Sequence, residues 1–425
     1  MKENIIDILE KRELIEAISS PDLREIVNKP ITLYVGFDPT ADSLHLGHLL
    51  PIIILTWFQK CGHNPIAIVG GATGCIGDPS GRSTERNLLN EESLAHNLKG
   101  IRANLEKIMD FQSDTPNAPI ILNNMDWFKN FSFITFLRDV GKHFRMGSML
   151  AKESVKLRLE SEEGMSFTEF SYQMLQAYDF LHLNEHYNVM LQCGGSDQWG
   201  NITAGIELVR KLRQKTVYGA TMPLLTRSDG KKFGKSESGA IWLSAEKLSP
   251  YAFYQYLFGV PDSDVIKMMK RITFMELEEI ALYEKLMHAA DYIPNTAQKR
   301  LAEEVTRLVH GEEGVQMALQ ATALAAPGAK AVLDRATLEV LSQTIPTVIL
   351  DKSEVLNTKL IDLLVKAKLF PSKGEVRRMM ANGGIYLNEK VIDNESYSLT
   401  LVDCIEEQYL LVASGKKKKI IIKIQ

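Results

Sequence analysis

Cysteine is scarce in this chain, with four among 425 residues: Cys61, Cys75, Cys193 and Cys404. They lack the paired spacing of a zinc site, and so few in so long a chain argue against a disulfide framework and suit a reducing compartment. Long apolar runs are missing too. The longest, Leu49 to Phe58, is half of the roughly 20 residues that a membrane-spanning helix needs. Met1 to Lys29 is charged throughout and reads as amphipathic helix, not as a secretory signal. These absences predict a cytoplasmic protein with no membrane partner. A strong net charge is also lacking, the formal value being −4. The balance is uneven, however: Val355 to the end holds 12 Lys and Arg against 8 Asp and Glu, and the rest holds 37 against 45. A basic end on an acidic body fits a nucleic-acid partner with one extra docking site, and a solvated tail gives the same imbalance.

What is present is a regular alternation. Tyr34-Val-Gly-Phe-Asp38-Pro-Thr40-Ala-Asp-Ser-Leu-His45-Leu-Gly47-His48 joins a strand, Ile31 to Val35, to an apolar helix from about Leu46 through Phe58. Pro51 sits in the first helical turn, where its missing N–H does little harm. A helix that opens this way points unpaired N–H groups and the positive end of its dipole at whatever lies above the strand, and phosphate is the usual guest. Gly47 leaves room for a flat ring, and His45 and His48 can donate to phosphate oxygens without being charged. The stretch reads as an ATP site, the alternative being two surface histidines at a helix start.

Pro65 to Val69 and Pro119 to Asn123 are further strand patterns, with helical patterns from Phe131 to Arg145 and from Ser166 to Phe180. The turn Gly71-x-x-Gly74-x-x-Gly77 departs from the dinucleotide fingerprint. Strands alternating with helices predict an α/β fold with a parallel sheet covered on both faces. Tyr172, Gln176 and Asp179 fall at i, i+4 and i+7, so one helix face carries a phenol, an amide and a carboxylate. Each needs a hydrogen-bond partner when buried, which suits a polar pocket better than a core stripe. Val189 to Asn201 repeats the theme of strand, glycine turn (Gly194-Gly195) and helix. The polar run Arg227 to Gly239, with Lys232-Phe-Gly-Lys235-Ser236, reads as an exposed mobile loop. It falls short of a P-loop because Asp229 stands where the first glycine belongs. His182-Leu-Asn-Glu185-His186 fits the inverted zinc-peptidase pattern, but no third ligand is evident and no metal cage is expected.

Ser249 to about Leu319 is almost wholly helical in pattern, with Lys267, Lys270 and Arg271 clustered, and the Ala325-Ala-Pro-Gly328 region is the expected hinge. Near the end, a helix with Lys373, Arg377 and Arg378 leads into a hairpin, beside Lys416 to Lys419. That arrangement would track phosphates.

His45-Leu-Gly-His48 and Lys232-Phe-Gly-Lys235-Ser236 together resemble the two signatures of the class I aminoacyl-tRNA synthetases. Leu46 replaces the usual isoleucine, and Phe233-Gly234 replaces Met-Ser. The surrounding residues, most of all Gln192 to Asn201, are similar to the bacterial branch that handles tyrosine, through nearly the whole chain. The resemblance implies a Rossmann-like parallel-sheet catalytic domain with a helical insertion (1–222) and a lysine loop with its connection (223–248). A helical anticodon-contacting domain (249–320), a linker (321–356) and a small α+β RNA-binding domain (357–425) would come after these. It also implies a homodimer through the insertion, which Phe131, Phe133, Phe136 and Phe144 would serve. The implied reaction joins L-tyrosine and ATP, with Mg²⁺ accompanying the ATP, into tyrosyl-adenylate, and then moves the tyrosyl group to tRNA(Tyr).

By the same resemblance, Tyr34 and Asp179 would meet the phenolic hydroxyl, and Asp78, Tyr172 and Gln176 the ammonium group. Gln192 and Gln198 would touch the amino acid or adenylate. Asp38, Gly47, His48, Gly195 and Asp197 would lie at the nucleotide, Thr40 and His45 at the γ-phosphate, and Arg82, Arg86, Lys232 and Lys235 at the pyrophosphate. The Tyr34 and Asp179 pair favours tyrosine over the related tryptophan enzymes. An RNA-binding protein on the same scaffold without catalysis, and a zinc hydrolase, are the alternatives.

Overall fold

The computed structural model describes residues 3–80, 91–112, 116–160, 164–230, 233–236, 239–324, 335–415 and 418–425. Contacts gather the chain into two units, Met1–Ser244 with Val260–Leu301, and Ala245–Gly259 with Ala302–Gln425. No helix among the described residues is long and apolar enough to cross a membrane.

The first unit is built on a six-stranded sheet. Strands β2 (Thr32–Phe37), β3 (Asn64–Val69), β4 (Ile120–Asn123), β5 (Val189–Gly195) and β6 (Tyr218–Met222) pair in parallel, while β1 (Ala17–Ile18) adds antiparallel to β6. The spatial order is β1-β6-β5-β2-β3-β4. Runs such as Ile66 to Val69 are apolar without alternation because the sheet is covered on both faces. Parallel neighbours need crossovers, and the helices Leu46–Lys60 and Trp199–Arg213 supply two of them. The first is buried almost all round, at Leu49, Leu50, Ile52, Ile53, Leu55 and Phe58. Chain order reverses at β2, with β3 and β4 on one side and β5 and β6 on the other, so the carboxyl ends of β2 and β5 open a crevice.

Three sequence expectations change here. Met1 to Lys29 is not one amphipathic helix. It holds the short helices Ile5–Lys11 and Leu23–Ile26 with β1 between them, because the open edge of β6 takes up Ala17 and Ile18 as a strand. Arg12 locks the first helix in place: it is buried, stacks over Trp57 at 4.4 Å and donates to the Thr273 and Met275 carbonyl oxygens. The clustered cations Lys270 and Arg271 are engaged by the protein itself, both reaching the Glu13 carboxylate (3.1 and 3.4 Å) rather than standing ready for RNA.

The second unit carries the helix Pro250–Phe258 and a five-stranded sheet in the order β11-β10-β12-β13-β9. Its strands are β9 (Thr347–Leu350), β10 (Ile385–Leu387), β11 (Lys390–Val391), β12 (Tyr409–Ser414) and β13 (Lys418–Ile424). β9 lies inside the stretch 321–356 expected as a linker, as does the helix Arg335–Thr344, whose Leu338 and Leu341 pack on Tyr409 and Ile421. From residue 335 on, this stretch is folded because β9 completes the sheet in parallel with β13; the expected hinge, Ala325 to Gly328, lies outside the described residues.

One helix of the first unit steers the loop between β2 and the next helix. In Glu91–Ile108, Asn97, Gly100 and Asn104 share a face. Asn97 donates to the Pro39 carbonyl (2.8 Å), Asn104 accepts from the Leu44 N–H (2.8 Å) and the Ser43 hydroxyl (3.1 Å), and Gly100 lies between them. A Cβ at Gly100 would stand 1.8 Å from the Asp42 carbonyl oxygen. Gly100→Ala should therefore cost about 1–3 kcal/mol by overpacking, read as a lower midpoint in urea unfolding. An unchanged midpoint would show that the helix and loop can separate without loss.

Candidate active site

The crevice holds a cavity of about 370 Å³. Its walls come from residues just beyond each parallel strand: Asp38 and Thr40 past β2, Thr73 and Asp78 past β3, Asn124 past β4, Asp197 and Gln198 past β5. Tyr34 and Gln192, register partners on β2 and β5, line it from within the sheet. The helix Phe167–Tyr187 contributes Tyr172, Gln176 and Asp179. His45, Gly47, His48 and Gly195 also line the cavity, so the described residues expected at the amino acid and the nucleotide converge here. Arg82, Arg86 and Lys232 lie outside the described residues, and of Lys235 only the backbone, in β7 (Lys235–Ser236), is described.

At the start of the helix Leu46–Lys60 the structure corrects one inference. Its first N–H groups are not open to an anion: Leu46 N–H donates to the Ile241 carbonyl (2.8 Å), Gly47 N–H to His45 Nδ1 (3.1 Å) and His48 N–H to the His45 carbonyl (2.8 Å). His48 Nδ1 in turn accepts from the His45 N–H (3.3 Å), so the two histidines form a reciprocal capping box with ring centroids 4.0 Å apart. Each neutral ring, accepting at Nδ1, carries its proton on Nε2. The imidazoles, not the backbone, are thus the donors this helix start can offer. Gly47 is needed for the cap, since a Cβ there would meet His45 Cε1 at 2.9 Å.

The lysine segment is docked in its described part. Gly234, at φ +92°, and β7 pair back onto β8 (Gly239–Ala240); Ser228 to Gly230 and Gly239 are exposed, as expected of a loop, but Phe233 and Gly234 are buried. Ile241 N–H donates to the Gly234 carbonyl (2.9 Å), and the next residue, Trp242, forms an antiparallel bridge with His45. The two signature segments, nearly two hundred residues apart, are therefore joined through backbone at the histidine cap.

Two hydrogen-bonded chains line the rest. In the first, the Tyr172 hydroxyl donates to Asp38 Oδ2 (2.9 Å) and Thr73 Oγ1 to Asp38 Oδ1 (3.0 Å). Asn124 Nδ2 donates both to Thr73 (3.0 Å) and to Asp179 Oδ2 (3.1 Å), and Trp127 Nε1 donates to Asp179 Oδ1 (2.9 Å). In the second, Gln198 Nε2 and the Ser80 N–H donate to the two oxygens of Asp78 (2.6 and 2.9 Å), while Asn201 Nδ2 reaches Gln176 and Gln198 (3.1 and 3.3 Å). Burial raises the Asp179 carboxyl to about 8, against the lowering pull of its two donors. Burial, then Asp179, also pushes the Tyr34 phenol well up. The Tyr34 hydroxyl and Gln192 Oε1 are buried without a hydrogen-bond partner.

Thr73, Asn124, Trp127 and Asn201 were missed by sequence reasoning. The signal was positional: Asn124 directly succeeds β4, Thr73 stands four residues beyond β3, and Asn201 lies in the first turn of the helix Trp199–Arg213, just past Asp197 and Gln198. The His182 and His186 rings lie 4.3 Å apart, tilted by 42°, and no group of three or more potential metal ligands occurs among the described residues. In the second unit Lys373 and Arg377 are exposed and paired with Asp362 (2.7 Å) and Glu395 (3.2 Å), and Arg378 is exposed. Lys419, expected on the same surface, is buried.

A nucleotide-type α/β crevice whose first crossover helix begins on a pair of capping histidines, bridged to a lysine-bearing hairpin, marks an amino-acid-activating class I architecture. Comparison narrows it. Residues 26–325 match the model for tRNA synthetases class I (W and Y), and residues 337–422 match the tyrosine–tRNA ligase SYY-like C-terminal domain. The chain is 58% identical over 421 residues to a tyrosine–tRNA ligase of Protochlamydia amoebophila, covering 99% of each, and 50% identical to a chloroplastic/mitochondrial one of Arabidopsis thaliana, covering 99% of this chain and 84% of that one. A C-terminally truncated mitochondrial tyrosyl-tRNA synthetase from Aspergillus nidulans superposes with a TM-score of 0.68 at 30% identity, over 76% of this chain and 94% of that one. The chain belongs to the class I tRNA synthetases for tryptophan and tyrosine, in the tyrosine–tRNA ligase branch.

The Asp179 carboxyl makes a stability prediction. It titrates near 3.8 in the unfolded chain and at about 8 in the folded protein, so the folded state holds the extra proton between those values. Its contribution to stability therefore falls as pH rises across that window. Asp179→Asn removes the dependence, and its melting temperature relative to the unsubstituted protein should climb from about pH 5 to about pH 9. A constant offset would contradict a neutral buried carboxyl.

Proposed function

We propose that this enzyme activates L-tyrosine with ATP to tyrosyl-adenylate and transfers the tyrosyl group to the 3′-terminal ribose of tRNA(Tyr), in the cytoplasm. The observation that carries the substrate is the buried pair at the cavity: a Tyr34 hydroxyl without a partner beside an Asp179 carboxyl fixed by Asn124 and Trp127. A phenolic hydroxyl supplies the partner that the Tyr34 hydroxyl lacks, next to a carboxyl that can take a further hydrogen bond. Phenylalanine would leave the Tyr34 hydroxyl unpaired, at the desolvation cost of a buried polar group. Asp78, Tyr172 and Gln176, held by the two hydrogen-bonded chains, suit the ammonium group, with Gln192 and Gln198 beside it.

The amino acid's carboxylate is already a nucleophile at neutral pH, so the first step needs alignment and charge stabilisation, not a general base. A carboxylate oxygen bonds to the α-phosphorus, the bond to the bridging oxygen breaks, and pyrophosphate leaves with the charge. The Nε2–H groups of His45 and His48 suit phosphate oxygens and nucleoside, with Thr40 also at the γ-phosphate. Asp38, Gly47, Gly195 and Asp197 suit the nucleotide, and Arg82, Arg86, Lys232 and Lys235 the departing pyrophosphate. Mg²⁺ enters with ATP as its counterion. Lys373, Arg377 and Arg378 suit the RNA backbone, the exposed ion pairs being weak enough to exchange.

The helical insertion supports a homodimer. Phe136 is core, and Phe131 and Phe144 pack against that core, but Phe133, Ile134, Met146 and Phe167 are exposed by 59–72%. Sedimentation should give twice the mass of one chain, and Phe133→Asp should shift it toward one; a monomeric parent protein would refute the assembly.

The deciding experiment is amino-acid-dependent exchange of labelled pyrophosphate into ATP across the standard amino acids. Exchange with tyrosine alone is expected, and none at all would leave an RNA-binding protein. His45→Asn keeps a good helix cap while shortening the donor, so folding should survive and exchange should slow by about 10²–10³-fold. An unchanged rate would remove His45 from the phosphate site.

A further inference from the structure

The geometry points to His182 as a positioning residue for side-chain selection: its ring, stacked on Trp127, holds the indole at the angle from which its N–H donates to Asp179. This rests on the reading of Asp179 as the partner of the substrate's hydroxyl. The residue lies in the His-x-x-Glu-His pattern that the proposed chemistry leaves unused.

The contacts form a continuous line. Trp127 and His182 are nearly parallel, 20° between planes, with centroids 4.4 Å apart. Trp127 Nε1 is 2.9 Å from Asp179 Oδ1. Asp179 and His182 stand three residues apart on one helix, so both project to the same side. The opposite oxygen of Asp179 is fixed by Asn124, which is wholly buried and anchored by the Ala72 N–H (2.7 Å). Trp127, by contrast, sits in the short helix Met125–Phe128, and neither residue flanking it is buried. Its orientation depends on neighbours: the flat His182 face, Phe128 at 6.4 Å, and the buried cluster including Phe136 and Phe180 against which it packs. Behind His182, His186 adds a third ring at 4.3 Å. Burial, then His186, lowers His182 to about 4, against a raising pull from Glu185, so the ring meets the indole uncharged at neutral pH.

A flat ring is what this role requires, whereas a metal ligand or proton carrier would require the ring nitrogens. That separates the proposal from a general structural role. In pyrophosphate exchange, His182→Ala should raise KM for tyrosine by about threefold to tenfold, the range an aromatic stack is worth, with kcat and the phenylalanine reaction little changed. His182→Phe, which keeps the flat ring, should restore the tyrosine KM. Trp127→Phe, which keeps a ring but loses the N–H, should reproduce the loss, and adding His182→Ala to it should do nothing more.

Equal losses for tyrosine and phenylalanine, additive losses in the double variant, or no rescue by His182→Phe would each overturn the proposal. If His182→Ala does not fold, the comparison of His182→Phe with Trp127→Phe decides it alone. Asp179→Asn runs alongside: if it spares tyrosine selection, the reading of the pocket fails, and if it abolishes selection while His182→Ala leaves it intact, only the positioning role fails.

Discussion

A carboxyl group buried away from water must either find donors or stay neutral, and Asp179 does both. Its two oxygens each accept one hydrogen bond, from Asn124 and Trp127, and still its proton is held to about 8. Donors on the carboxylate lower its pKa, so burial is the larger effect here. Everything that brings those donors into place is part of the fold: β4 ends where Asn124 must begin, the helix Phe167–Tyr187 projects Asp179, and β2 places Tyr34 in the same cavity. The same Asn124 reaches Thr73 and so Asp38 and Tyr172, which ties the far end of the pocket to the near one. Displacing one member leaves its partners unsatisfied at low dielectric, where that is most costly.

At the His45 end of the cavity the constraint is the start of a helix. Such starts usually offer bare N–H groups, but here His45 and His48 cap each other's backbone and a bridge from the lysine hairpin takes the Leu46 N–H. The cap turns each ring so that Nδ1 faces backbone and the proton sits on Nε2. One pair of side chains thus ends a helix and sets its own tautomers. Because the bridge passes from Gly234 through Ile241 and Trp242, the hairpin and the histidines share backbone contacts, and a shift of the lysine segment would be felt at the cap.

The α/β class and the strand positions were legible because buried parallel strands are unbroken apolar runs between glycine turns. The polar face of Tyr172, Gln176 and Asp179 was legible because helical spacing is local. Asn124 and Trp127 were not: each meets Asp179 across more than fifty residues, and nothing in the local pattern distinguishes a pocket amide from a turn amide. The N-terminal segment is not the single helix its charge pattern suggests because the partner of Ala17 and Ile18, the edge of β6, is two hundred residues distant. Charge misled in the same way. Lys270 and Arg271, clustered on a helix that could equally contact RNA or be solvated, both reach Glu13, and Lys419, expected on a phosphate-tracking surface, is buried in β13. A basic residue's surroundings decide whether its charge is available.

The unpartnered atoms then have a physical sense. The Tyr34 hydroxyl and Gln192 Oε1 are each buried without a hydrogen bond, at about 1–3 kcal/mol apiece on the usual scale for such groups. They sit on neighbouring strands, in register, with the rigid sheet behind them. On the proposed reading, a ligand with a hydroxyl at one end and an ammonium at the other would remove the penalty, and one lacking the hydroxyl would leave part of it. Selectivity at such a site comes less from an attraction to the right side chain than from a cost, already built into the unliganded fold, that the wrong one cannot relieve.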